Sequence, residues 1–349
     1  MERGGGEDYH YSVDRLREPR GFTSLGDLDM KKYMIRRILN LLPTLFIVSM
    51  VVFAMIRILP GDPIYTLAAV DESDGGEIDP ELYARLLKEY DLDKPIIVQY
   101  GEWIVGVLQG KAGVSLYHGN SVAGELWKAI PVSAELAVLG VLLSLIIGLP
   151  LGLISAIKHD SIIDQVSRLV SVLGISIPNF WLAILMLTFL AILFEWNPPV
   201  YYQSLIKSPV DNLQQMLIPA ITLGSFQMAL VSRMTRSSML EVLRQDYIRT
   251  ARAKGLREQM VIYRHAMKNA MIPVVTVVGL NFGILLGGIV IIEQITGVPG
   301  VGRLTLQAIN QRDLAQIQIN VLFFGAVFAF SNLMVDMIYG FLDPRIRQS

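Results

Sequence analysis

The sequence predicts an all-α polytopic membrane protein with six transmembrane helices and both termini on the cytoplasmic side. Three observations carry that prediction. Of the 349 residues, 52% are hydrophobic and only 17% charged, against about 25% charge in an ordinary soluble domain. Six apolar runs reach the roughly 20 residues a helix needs to cross a bilayer core. The lysines and arginines between them gather on alternate sides, as the positive-inside rule requires.

Composition also excludes several function classes. A net charge of −1 argues against a general nucleic-acid binder, which would be globally basic. There are no cysteines, hence no disulfides, thiolate chemistry or cysteine-ligated metal. The histidines, His10, His118, His159 and His265, make no pair at ligand spacing, so no metal is expected.

Residues 1–29 are polar and rich in glycine and charge, and read as a disordered extension. They hold no secretory apolar region, and Met30, followed by "KKYMIRR", is a second candidate start. Residues 30–59 form a basic leader and the first span, the uncharged run Ile38 to Ile56 between Arg37 and Arg57. Residues 60–131 form an extracytoplasmic loop domain, where Arg85, Lys88, Lys94, Lys111 and Lys128 are outnumbered by acids. Within it "PELYARLLKEY", Pro80 to Tyr90, has helical spacing with proline near its start. "PIIVQYGEWIVGVLQG", Pro95 to Gly110, is apolar but too short to span; it either lies along the outer interface or packs on neighbouring spans as a cap.

Residues 132–349 carry the other five spans. Leu136 to Ile157, Leu169 to Phe194 and Asn269 to Ile292 are uncharged. Asn212 to Ser232 is the weakest, because it holds Gln214, Gln215 and Gln227. Ile319 to Tyr339 is interrupted by Asp336. Pro150, Pro178 and Pro219 are expected to kink their spans. Gly148 with Gly152, and Gly283 with Gly287, are spaced for close helix contact.

The basic cytoplasmic segment, residues 240–268, asks for an explanation beyond topology. Arg233 to Lys268 holds nine lysines and arginines against Glu241, Asp246 and Glu258, which places it inside. In "DYIRTARAK", Asp246 is a candidate N-cap, Ala251 and Ala253 favour helix, and Arg249 and Arg252 fall near one face. Gly255 follows Lys254 where a helix stops, since glycine accepts the left-handed geometry of a C-terminal cap. A second helix is expected from about Arg257 to Lys268, handing over to the fifth span at Pro273. Helix, glycine turn, helix is a shape suited to close docking on another protein. Basic cytoplasmic loops that merely face solvent or anionic lipid are also common.

This stretch resembles the cytoplasmic coupling loop of permease subunits in ATP-binding cassette importers. Arg249, Thr250 and Ala251 take the places of Glu-Ala-Ala in the general family pattern, and Gly255 takes its glycine. His265 to Lys268 take the last four places without the expected proline, which comes at Pro273. These departures are similar to the dipeptide/oligopeptide branch, with "RTARAKG" from Arg249 and His265, Asn269 and Pro273 in register. Further landmarks stand in order: "LPGDP" (Leu59 to Pro63), "QYGEW" (Gln99 to Trp103), "GLPLGLISAIKHDSIID" (Gly148 to Asp164), "SIPNFW" (Ser176 to Trp181), "PGVGRL" (Pro299 to Leu304) and "DPRIR" (Asp343 to Arg347). The likeness covers about residues 30 to 347.

The resemblance implies a type I ABC importer-like permease fold in a prokaryotic plasma membrane. It also implies partners: a second, homologous permease subunit forming a heterodimer, two ABC ATPase subunits, and an extracytoplasmic solute-binding protein. Membrane lipid surrounds the assembly, and nucleic acid has no part in it. ATP and magnesium would be used by the ATPases, with no cofactor bound by this chain. The 246–268 segment would be the mechanical handle, Gly255 setting its bend and Arg249, Arg252 and Lys254 its docking. Peptide is the default solute. Oligosaccharides and nickel complexes are the alternatives within the architecture, and an ATP-independent secondary transporter is the rival from another class. No span residue identifies a substrate site.

"GVPGVGRL" imitates a phosphate loop, but Arg303 and Leu304 stand where lysine and a hydroxyl are required; a turn shaping the outer mouth is the better reading. Asp336 needs a partner inside a span, and Arg345 or a coupling-loop arginine is expected, with a proton relay as the lesser alternative. Glu135 and Glu293 are expected to be solvated at the outer interface. No nucleophile, base and acid stand together, so no catalytic site is expected.

Overall fold

The computed structural model describes residues 22–58, 64, 78–89, 92–115, 117–199 and 201–342. Its regular elements are helical, apart from a lone antiparallel bridge between Val114 and Ser121. The "LPGDP" and "DPRIR" landmarks and Arg345 lie outside the described residues.

Helix α1, Phe22–Ile58, begins upstream of its predicted start. Residues 22–29 are therefore helical rather than disordered. Extending a nucleated helix adds a backbone hydrogen bond for each residue fixed, and the nearest upstream breaker is Pro19. The amphipathic α2, Pro80–Glu89, matches expectation, with Glu81 in its first turn and Lys88 in its last, both favourable to the helix dipole. In α3, Ile96–Leu108, one face touches α1, while none of its residues is buried. The Tyr100 hydroxyl lies 2.7 Å from Ser49 Oγ, and its ring stands edge-on to Phe46 and Phe53 of α1. Arg57 donates to Gln99 Oε1 at 2.5 Å, fastening the same two helices.

Helix α4, Val122–Ile157, starts where Ser121 accepts from the Gly124 amide at 3.3 Å. At 1.5 Å per residue it is about 54 Å long, more than a bilayer core requires. The third span departs from the prediction of one continuous run. It is two helices, α5 (Ile162–Ser176) and α6 (Asn179–Phe194), bent by 105°. Pro178 causes the break: it has no amide to donate, and it pushes Ile177 out of helical geometry into extended backbone.

The span that looked weakest, α7 (Pro209–Leu243), is the most enclosed of the long helices. Its glutamines lower hydropathy because much of the helix faces protein rather than lipid. Gln215 and Gln227 are buried, and Gln227 donates to the Val278 carbonyl at 3.2 Å. α4 packs against it more extensively than any other pair of helices in the fold. Gly148 permits that approach, since a Cβ there would sit 2.8 Å from the Met228 carbonyl oxygen. Of the second glycine pair, Gly283 faces Phe328 closely, whereas Gly287 borders open space. The central core joins Leu136, Met216, Leu223, Leu285, Ile289 and Ile292.

After α7 come α8 (Asp246–Ala253) and a short α9 (Glu258–Met260). A π-helical turn, Val261–Ala266, runs without a gap into α10, Met267–Thr296. Helix α11, Val301–Asn310, and the last long helix α12, Leu314–Leu342, complete the fold. Among the described residues five helices are long and apolar enough to cross a membrane, six where the bent α5–α6 pair counts as one broken span.

At the end remote from the basic segment, Glu293 is fully buried, not solvated as expected. It accepts from Ser133 Oγ at 2.5 Å and from the Arg303 amide at 3.1 Å. Ser133 Oγ in turn accepts from the Val301 amide at 2.8 Å. The "PGVGRL" segment is thus the seat of α11, held by one carboxylate. Glu135 is not solvated in isolation either, accepting from Tyr202 at 2.6 Å. Burial, then this carboxylate, raise the Tyr202 phenol pKa above its usual range. At the opposite end Asp336 pairs with Arg37 of α1 at 2.6 Å rather than with a coupling-loop arginine, and the Arg345 alternative falls outside the described residues.

Candidate functional site

The candidate site is built on α8 and the turn that follows it. Eight residues form too short a helix to be stable alone, so its stability comes from packing. Ile248 is fully buried and Ala251 nearly so. They sit in an apolar cluster with Leu153 of α4, Met239 and Val242 of α7, and Val261 and Ala266 of the π turn. This helix shares one apolar cluster with residues of α4, α7 and the π turn that leads into α10.

The opposite face stays exposed: Asp246, Arg249, Thr250, Arg252, Ala253, Lys254 and Gly255. Burial on one side and charge on the other follow from the spacing of Ile248 and Ala251 three apart in an otherwise polar segment.

The C-terminal end of α8 is a Schellman motif. The Gly255 amide donates to the Arg252 carbonyl at 2.9 Å, and the Leu256 amide to the Ala251 carbonyl at 3.4 Å. Gly255 has φ +75°, the left-handed geometry predicted for it. Leu256 packs on the same apolar cluster, supplying the hydrophobic contact that accompanies this cap.

Beyond the turn, Arg252 grips Glu258 with two nitrogens, at 2.7 and 3.1 Å. That bond raises the arginine's pKa above its ordinary value and ties the end of α8 to the start of α9. A second clasp joins the start of α8 to the π turn and α10. Asn269 donates to the Tyr247 hydroxyl at 2.7 Å, and that hydroxyl reaches the His265 carbonyl at 3.5 Å.

The sequence-derived residues mostly converge, with three corrections. Asp246 is not the N-cap; Gln245 holds that position without a side-chain bond. Asp246 is instead the first helical residue, bonded to Arg249 at 3.3 Å, where its charge favours the dipole. The second helix does not end near Lys268, because α10 continues through it. Pro273 therefore lies inside α10, away from the turn, and does not mark a junction. Tyr247 and Glu258 were missed. Each acts across a turn, where helical spacing rules have no reach. Ile248 was readable as the apolar residue of α8, paired with Ala251.

His159, Asp160 and Asp164 bring possible ligand atoms within 4.8 Å of one another. Arg236 donates to both oxygens of Asp164, at 2.7 and 2.9 Å, and so occupies the place a cation would take.

Comparison with known proteins agrees with this architecture. Residues 148–348 match the model of the binding-protein-dependent transport system inner membrane component. Residues 30–126 match the model for the N-terminal part of such membrane components. A dipeptide transport system permease protein of Alkalihalophilus pseudofirmus is 38% identical over 338 residues, covering 91% of this chain and all of the relative. A glutathione transport system permease protein of Escherichia coli is 37% identical over 318 residues, covering 91% of this chain and 99% of the relative. With family models matched along most of its length and bundle helices long enough to span, the chain belongs to the binding-protein-dependent transport system inner membrane components, the multi-pass permeases of ABC importers.

Proposed function

We propose that this chain forms half of a translocation pathway for peptides and couples it to cytoplasmic ATPases through residues 246–268. A heterodimer with a second, homologous permease would complete the pathway. Two ATPase subunits would supply ATP, magnesium and hydrolysis, and a solute-binding protein would deliver the peptide from outside. The relatives' names, dipeptide and glutathione transport permeases, support a peptide solute.

The observation that carries the coupling role is the two-sidedness of α8. Its apolar back is held by α4, α7 and the π turn, while Arg249, Thr250, Ala253 and Lys254 face outward. A partner pressing on that face moves three helix ends together. Closure of the ATPases would push α8, and the long helices would carry the displacement across the membrane, switching access from one side to the other.

The test is purification of the tagged chain from its host in mild detergent. Recovery of two ATPases and a second permease is expected, with ATP hydrolysis stimulated by the binding protein. Recovery of the chain alone, transporting in liposomes without ATP, would overturn the reading.

A further inference from the structure

A cavity of about 830 Å³ opens between α5, α7 and α10. Serines line it, among them Ser167, Ser171 and Ser237, and so do Arg168, Arg233 and Arg236, with no carboxylate in its wall among the described residues. It reaches from the basic end of α7 to Asn281, about 21 Å along α10 from Met267. Such a polar stripe is costly to place against lipid, and arginines inside spans ordinarily face water or a pathway.

The charges do not cancel. Asp164 is fully buried behind the wall, accepts from Ser155 Oγ at 2.5 Å, and takes its two short charged bonds from Arg236. Arg168 shares the same carboxylate only at 3.7 Å. Arg233 has no ion-pair partner among the described residues and is exposed. Asp160 lies near Arg236 but is itself largely solvent-exposed. Three guanidinium groups therefore answer to one close carboxylate, and the surplus sits on Arg168 and Arg233.

We propose that this cavity is an anion-attracting vestibule of the solute pathway, in which Arg233 and Arg168 hold the terminal carboxylate of a passing peptide. The carboxylate assignment rests on the peptide-permease reading above. A peptide's terminal carboxyl is ionised at neutral pH, and a guanidinium meets its two oxygens with paired donors where an ammonium cannot. The serines suit the peptide's amides, which need both donors and acceptors. Because the surplus charge is not committed to the fold, the group it holds can enter and leave.

The chain has no cysteine, so an introduced thiol is unique within it, and the transporter lacking that thiol gives the background from its partner subunits. Ser237→Cys lies four residues from Arg233, and Val172→Cys four from Arg168, each one turn away on the same helix face. In the assembled transporter at low salt, the reaction rates of each thiol with an anionic and a cationic methanethiosulfonate reagent are compared. Removing a unit charge at roughly 8 Å in water lowers the anion-to-cation rate ratio about five-fold. Arg233→Gln should do this at Ser237→Cys and Arg168→Gln at Val172→Cys, while Arg233→Lys keeps the ratio. Ratios that do not change at either reporter overturn the vestibule.

Uptake then tests what is held. Arg233→Gln should slow trialanine uptake about ten-fold and change trialanine amide uptake less than two-fold, with Arg233→Lys restoring only part of the loss. Equal losses for the two probes overturn the carboxylate assignment. If the unaltered transporter carries neither probe, the peptide reading fails and the carboxylate assignment with it, while the reagent ratios still decide whether the vestibule attracts anions.

Discussion

Gly255 offers the cleanest perturbation in the proposed coupling site, because its geometry and its space give opposite answers. A Cβ built on it would meet nothing within 4 Å, so alanine fits without collision. The penalty is conformational alone: an L-residue held at φ +75° costs about 1–2 kcal/mol. If the docked handle requires that turn, the competent population falls roughly 5- to 30-fold by RT of about 0.59 kcal/mol, provided the turn is marginal before substitution. Asparagine tolerates left-handed geometry better and should retain most activity. Proline fixes φ near −65° and deletes the amide that bonds to Arg252, so Gly255→Pro should uncouple fully. The assay is ATP hydrolysis stimulated by the binding protein, measured on equal amounts of assembled transporter in liposomes, with solute uptake alongside. The order should be glycine, asparagine, alanine, proline, while the amount of chain in the membrane stays constant. Undiminished uptake by Gly255→Pro would refute the mechanical role.

Three further outcomes follow from packing. Ile248→Ala removes a fully buried side chain, a loss of about 2–5 kcal/mol in a packed site. Limited proteolysis should then cut at Arg249 or Arg252 much faster than in the unaltered chain, with membrane insertion unchanged. Gly300→Ala differs in kind from Gly255→Ala, since its Cβ would collide with the Glu293 carboxylate. It should unseat α11, seen as faster hydrogen exchange at the Val301 and Arg303 amides, even though its backbone φ of −94° suits alanine. Arg236→Met leaves the buried Asp164 without its main counter-charge, a loss of about 3–5 kcal/mol. Adding Asp164→Asn should recover part of the lost thermal stability.

Much of the bundle was legible because hydropathy and loop charge are local properties of the chain. The elements between the first and second spans, α2 and α3, were readable for the same reason. What escaped depends on contacts distant in sequence. Pro178 was visible as a kink, yet nothing local distinguishes a bent helix from two helices at 105°. The polar residues of α7 made it look like the poorest span, when they mark it as the inner one. Glu293 reads as interfacial from its position and is buried because Gly300 and Gly302 let the next segment fold over it. The handle itself was readable through its glycine, while its clasps were not. Arg252 with Glu258 and Tyr247 with Asn269 join residues 6 and 22 apart, outside the spacings that a single helix explains.

The π turn decides how rigidly the handle and α10 move together. Val261 and Ile262 are neighbours in sequence and both buried, as are Ala266 and Ala270 further on. An uninterrupted α-helix turns 100° per residue, so a buried stripe of this width needs either a broad partner or a local change of register. The wider turn supplies the change and keeps the backbone continuous into α10. A flexible linker there would let α8 tilt without moving the membrane part. In the proposed coupling role, a continuous, packed turn, with Ile248 and Leu256 in the same cluster, would transmit the tilt instead. Coupling then depends less on the charges of Arg249 and Lys254, which a partner reads at the surface, than on the apolar residues behind them. Removing those charges should weaken docking, recoverable at higher ATPase concentration, whereas loss of Ile248 should lower the transport obtained for each ATP hydrolysed at any concentration.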